Sequence, residues 1–132
     1  MENQNEVTVV PVPIQTAKAF VTWTRHQISA ATPERFAIGA QTQDGTLVAV
    51  AIVSDPIDRF MADCRTVEVT HLAGDLPSAE RVLLGAAARA AQAMGYQRLI
   101  TYAPTARSAG FEPVPDVDPV LWQLTLPLGG QR

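Results

Sequence analysis

The sequence predicts an α/β (α+β) fold: one domain over residues 1–132, with a mixed, mostly antiparallel sheet of about six strands and two main helices. Three observations predict it. Runs rich in β-branched residues recur along the chain, bounded by Pro, Gly and Asp. Two segments carry apolar residues at helical spacing. The second of these lies between strand-like runs, and a strand, crossover helix and strand in one sheet make a parallel pair inside the otherwise antiparallel order. A chain of 132 residues with 47% apolar content buries roughly two thirds of the surface its unfolded form exposes and needs no covalent staple.

"EVTVVPVPI" is rich in β-branched residues and broken by Pro11 and Pro13, which suits an edge strand because proline donates no ladder hydrogen bond. From Thr16, a candidate N-cap, "TAKAFVTWTRHQI" spaces Ala17, Phe20, Val21, Thr24 and Ile28 along one side of an amphipathic helix. "SAATPE" stops it, since Pro33 disfavours helical geometry at Thr32. "RFAIGAQT" and "TLVAVAIVS" flank "QDG", where Asp44-Gly45 signals a hairpin. "RTVEVTHL" alternates with period two, placing Thr66, Glu68 and Thr70 on one face and Val67, Val69 and His71 on the other.

Ser78 is a candidate N-cap for "AERVLLGAAARAAQAM", whose Leu83, Leu84, Ala87, Ala91 and Met94 form one broad apolar side. Gly95 supplies a left-handed residue after the helix and Tyr96 the contact that follows it. "QRLITYA" reads as a fifth strand, "PTARSAGF" as a loop or helical turn, and "PVLWQLTLP" as the last strand. Flexible ends are expected at 1–6 and 128–132.

Composition narrows the function classes. One cysteine, Cys64, cannot close an internal disulfide, which favours a reducing compartment. "MENQNEV" lacks the basic and apolar regions of an export signal, so a cytoplasmic location is expected. The longest apolar run, Leu47 to Val53, is far short of the ~20 residues that span a bilayer. A net charge of −3 and scattered basic residues disfavour nucleic acid as a partner. There is no G-x-S-x-G elbow and no G-x-x-x-x-G-K-[ST] loop, so hydrolase and nucleoside triphosphatase readings have no support.

The element order and the phrase "VEVTHL…RVLLGAAARAAQAMGYQRLITYA…SAGF" resemble the Gcn5-related N-acetyltransferase (GNAT) superfamily over about residues 7 to 126. Pro56, Ile57, Arg59, Asp63, Arg65, Thr66, Glu68, Val69, Thr70 and Leu72 resemble a pattern found in a small phage- and prophage-associated group within it. The resemblance implies acetyl-CoA or another acyl-CoA as cofactor, and a small-molecule or peptide amine as acceptor. It implies that the diphosphate meets the helix start, with Leu72, Gly74, Ser78, Ala79 and Glu80 around the cofactor. At the superfamily's Arg/Gly-rich loop, however, this chain has "GDLPSAE", a degenerate pyrophosphate loop in which Pro77 removes an amide donor and Asp75 and Glu80 bring negative charge. The superfamily's frequent tyrosine acid would fall on Ala106.

Four residues are candidates for chemistry. Glu68 sits mid-strand, where an acid is expensive to bury without a partner. The resemblance makes it the general base; the plainer alternative is a salt bridge with Arg65 or another arginine. His71, at the end of the same strand, could relay a proton or act only as a core or capping histidine. Tyr102 and Ser108 could donate to a leaving thiolate, or pack. His26 suits the dipole at a helix end better than catalysis. No metal site is expected, because His26, His71 and Glu68 lack ligand spacing. Trp23 and Trp122 read as core or interface anchors, which leaves a homodimer open. The alternative function is a GNAT-fold accessory or binding protein without acetyl-CoA, or an enzyme with another small-molecule reaction.

Overall fold

The computed structural model describes residues 7–24, 32–74 and 76–127. Seven strands form one sheet in the order β1-β2-β3-β4-β5-β7-β6. They are β1 Thr8–Pro11, β2 Glu34–Gln41, β3 Leu47–Ser54, β4 Thr66–Gly74, β5 Arg98–Thr101, β6 Glu112–Pro113 and β7 Trp122–Thr125. The helices are α1 Ile14–Trp23 and α2 Pro77–Ala93, with short 3-10 segments at Arg59–Met61 and Pro104–Ala109. Only β4 and β5 are parallel, joined by α2 as the crossover; the other neighbours are antiparallel. The strand-rich, two-helix architecture is the one expected. The two-residue edge strand β6, too short to carry a pattern, was not.

β1 is an edge strand, with Pro11 opposite Ile38. The β2–β3 hairpin closes at Asp44-Gly45, where the Asp44 carboxylate accepts from the Thr46 amide at 3.0 Å. α2 lays Leu83, Leu84, Ala87 and Ala91 on Ala49, Ala51, Val53, Val67 and Val69, all fully or nearly fully buried. On the opposite face, Ala17 and Val21 of α1 pack with Ala37, Val50, Ile52 and Ala73. A buried Val or Leu contributes about 1.5–3 kcal/mol, so these two layers hold the sheet from both sides.

Several boundaries differ from expectation. α1 starts at Ile14 after Pro13, so Thr16 lies inside the helix rather than capping it. The preset φ of Pro13 and the bond from Ala17 N to Pro13 O open the first turn. α1 stops at Trp23, where Thr24 Oγ1 returns to the carbonyls of Phe20 and Val21 at 3.0 Å each. The expected continuation through His26 and Ile28, and the two chain ends, lie outside the described residues. Trp23 is 79% exposed, its ring contact among the described residues being with Phe20, so it is not a core residue; Trp122 is half-buried against the core.

α2 is capped by Leu76, not Ser78, because Pro77 occupies the first helical position, where its missing N–H costs nothing. At its other end Gly95 has φ +95°, and the amides of Gly95 and Tyr96 return to Gln92 and Ala91. That is the expected glycine stop. Met94, at the cap itself, is half exposed rather than part of the apolar side.

Candidate active site

The simple alternation in β4 fails at one residue. Val69 pairs with Val53 and His71 with Ile52, so Thr70 is an extra residue, a β-bulge. The insertion turns His71 onto the α1 face, the face of Ile52, Ala73 and Glu68, instead of the face of Val67 and Val69. Thr70 Oγ1 bonds Ser54 Oγ at 3.0 Å and lies 3.2 Å from His71 Nδ1.

Just past the bulge the sheet opens. β4 pairs with β5 only from Thr66 to Val69 and continues to Gly74, whereas β5 ends at Thr101 and the chain turns into the 3-10 segment. The gap is a cleft of about 280 Å3 lined by Glu68, Val69, Thr70, Leu72, Thr101, Tyr102 and Ala103. Thr101 Oγ1 donates to Val69 O at 3.2 Å and pins the apex.

Glu68 is only 3% exposed. Its Oε1 accepts from the Ile57 amide at 3.0 Å. The ion pairs among the described residues are Lys18–Glu34, Arg35–Asp55 and Arg98–Asp63, none of which includes Glu68. The salt bridge considered for it with Arg65 is therefore not formed. Burial pushes the Glu68 carboxyl up from its ordinary value; the Ile57 amide opposes the shift and the charge of Asp58 adds to it. Tyr102 shares the cleft, is 39% exposed, and is also raised, by burial first and then by the charges of Glu68 and Asp58. His71 is half-buried beside the cleft rather than in its lining, and burial lowers it.

The remaining candidates divide. Leu72 lines the cleft, while Gly74, Ser78, Ala79 and Glu80 do not. Gly74 carries a steric role: a Cβ there would stand 2.6 Å from Ala49 Cβ and 2.7 Å from Val48 O. Ser78 is exposed and Ala79 fully buried. Ser108 is exposed on the 3-10 segment, its Oγ donating to Thr105 O at 2.9 Å. Ala106 is buried in the core and does not line the cleft. Thr70, Thr101 and the Ile57 amide were not foreseen as site groups; the available signal was a threonine two residues after Glu68 in β4 and another at the end of β5.

No family model matches the chain, and no curated protein does. Solved structures do. A GNAT family N-acetyltransferase (YhbS) from Escherichia coli in complex with CoA aligns at TM-score 0.69 and 18% identity, over 98% of this chain and 88% of that one. The ribosomal-protein-S18-alanine N-acetyltransferase from Escherichia coli aligns at TM-score 0.65 and 15% identity, over 96% and 98%. A phosphinothricin acetyltransferase from Sinorhizobium meliloti in complex with AcCoA aligns at TM-score 0.62 and 14% identity, over 91% and 88%.

The chain has the GNAT fold. In this GNAT fold the described residues contain no helix long and apolar enough to cross a membrane. They also contain no group of three His, Cys, Asp or Glu side chains placed to hold a metal.

Proposed function

We propose that this chain is a small N-acyltransferase that moves an acyl group from an acyl-CoA thioester to the nitrogen of a small-molecule or peptide amine. One observation carries the reading: Glu68, a buried carboxylate without a counter-ion among the described residues, lies in the lining of the gap between the parallel strands. The fold shared with acetyltransferases solved with CoA or AcCoA supports it.

In this reading Glu68 accepts the proton lost by the amine as nitrogen bonds the thioester carbonyl carbon, directly or through water. The raised carboxyl makes it a better base than an exposed glutamate. The carbon–sulfur bond then breaks, and the departing sulfur takes a proton from Tyr102, a phenol that is protonated at neutral pH at its ordinary value and whose burial pushes that value further up. Tyr102 would thus stand in for the tyrosine that Ala106 replaces. Thr101 holds the cleft apex through Val69. A phage-associated setting belongs to the proposal on the resemblance alone, and a homodimer on the interface reading of the tryptophans, of which Trp23 is exposed.

The test is binding, then turnover. Acetyl-CoA at a hundred times its dissociation constant should add about 2.7 kcal/mol to stability. An amine panel with thiol detection then identifies the acceptor. A folded protein whose melting does not move at millimolar acetyl-CoA would overturn the reading in favour of an accessory or binding protein.

A further inference from the structure

The loop between β3 and β4 is pinned to the sheet at two places. The Ile57 amide donates to Glu68 Oε1 at 3.0 Å. Further on, Met61 Sδ accepts from Arg98 Nη2 at 3.5 Å, and Asp63 pairs with the same guanidinium at 4.0 Å. Asp58 lies between these anchors, next in the chain to the residue that holds Glu68. Its Oδ1 accepts from the Phe60 amide at 2.9 Å and opens the 3-10 turn Arg59–Met61. That turn leaves Phe60 96% exposed, and Ile57 is exposed as well.

The charge around the cleft is one-sided. Asp58 is near enough for its carboxylate to raise both Glu68 and Tyr102. Among the described residues no ion pair takes up Asp58 or Glu68, and Arg59, which follows Asp58, is exposed and pairs with neither. Glu68 is buried, yet its Oε2 has no hydrogen-bond partner among the described residues and is not sealed from solvent, which leaves it open to the cleft that Glu68 lines. Two carboxylates with no cation set against them favour a positively charged ligand and repel a negative one. An aliphatic amine is mostly protonated at neutral pH, as lysine is.

We infer that the acceptor is a cationic aliphatic amine with an apolar body and no carboxylate beside its nitrogen, that Asp58 sets the charge preference, and that Ile57 and Phe60 receive the apolar part. This rests on the acyltransfer reading above and names the substrate class of that site. Asp58 draws the ammonium toward Glu68, which takes its proton. An acceptor with an anionic group next to the nitrogen brings a third negative charge to the same place.

Three amines that differ by one feature at a time decide it, with acetyl-CoA as donor and thiol release as the readout. They are ethylamine, 3-methylbutylamine, which adds an apolar branch, and leucine, which is 3-methylbutylamine with a carboxylate beside the nitrogen. The expected kcat/KM for 3-methylbutylamine exceeds that for ethylamine and that for leucine by about tenfold or more each. Asp58→Asn keeps an acceptor for the Phe60 amide and should narrow the gap to leucine about fivefold or more, through KM rather than kcat. Phe60→Ala should narrow the gap to ethylamine instead. A merely structural role for Asp58 would lower all three amines together and keep their ratios, which would overturn its assignment. Ethylamine or leucine used as well as 3-methylbutylamine by the wild type overturns the inference and leaves the acyltransferase reading standing. Turnover of none of the three also overturns the inference, and the acyltransferase reading falls with it only where acetyl-CoA fails to shift the melting as well.

Discussion

The Ile57 amide donates to Glu68 Oε1 at 3.0 Å, tying the loop after β3 to the middle of β4. That single bond from eleven residues upstream stands where a salt bridge would otherwise be expected. It leaves Glu68 buried, raised and able to take up a proton.

Glu68→Gln keeps an acceptor for the Ile57 amide and removes only the charge. Turnover should fall by ~10²–10⁴-fold, as for loss of a general base, with an unchanged circular dichroism spectrum. Full activity in this variant would remove Glu68 from the mechanism.

The same variant reports on stability. A carboxyl raised by burial favours the protonated folded state, so its contribution is complete below the ordinary value of 4.5 and is lost as pH rises from there through the raised value. Glu68→Gln should therefore match the wild type at pH below about 4 and equal or exceed its stability at neutral pH. Urea melts across that range measure the difference.

His71 works in the other direction. Burial lowers it from 6.5, with Lys18 lowering it further and Glu34 raising it. The neutral ring is favoured in the fold, so stability is present above 6.5 and falls on acidification from there through the lowered value. Replacing His71 with Asn should flatten that segment of the stability profile, and an unchanged slope would assign it to another group.

Tyr102→Phe removes a hydroxyl from a partly exposed ring. Turnover should fall by about 10²-fold or more if the hydroxyl protonates the departing sulfur, and the melting temperature should stay within a few degrees. Thiol release followed against pH separates this from a packing effect.

Two glycines should respond differently to alanine. At Gly74 the new Cβ meets backbone and side chain of β3 inside 3.0 Å, so overpacking should cost about 1–3 kcal/mol or more. At Gly95 nothing lies within 4 Å, and only the positive φ is penalised, about 1–2 kcal/mol. Equal and negligible losses at both positions would contradict these contacts.

What the sequence determined by itself is what neighbouring residues settle among themselves. Pro11 marks an edge, Asp44-Gly45 a hairpin, Gly95 a helix stop, and the apolar spacing of α2 its buried side. Each depends on the conformational preference or periodicity of a few consecutive residues. Glu68 was legible too, because an acid inside an apolar strand must answer for its burial. Tertiary structure alone decided the rest. Thr70 becomes a bulge only through its register against β3, and that one-residue slip, invisible in β4's own pattern, sends His71 to the opposite face. The bonds from Ile57 to Glu68 and from Thr105 to Glu80 join groups eleven and twenty-five residues apart. They exist because packing brings two loops onto a strand and a helix, and no local preference encodes where such segments meet.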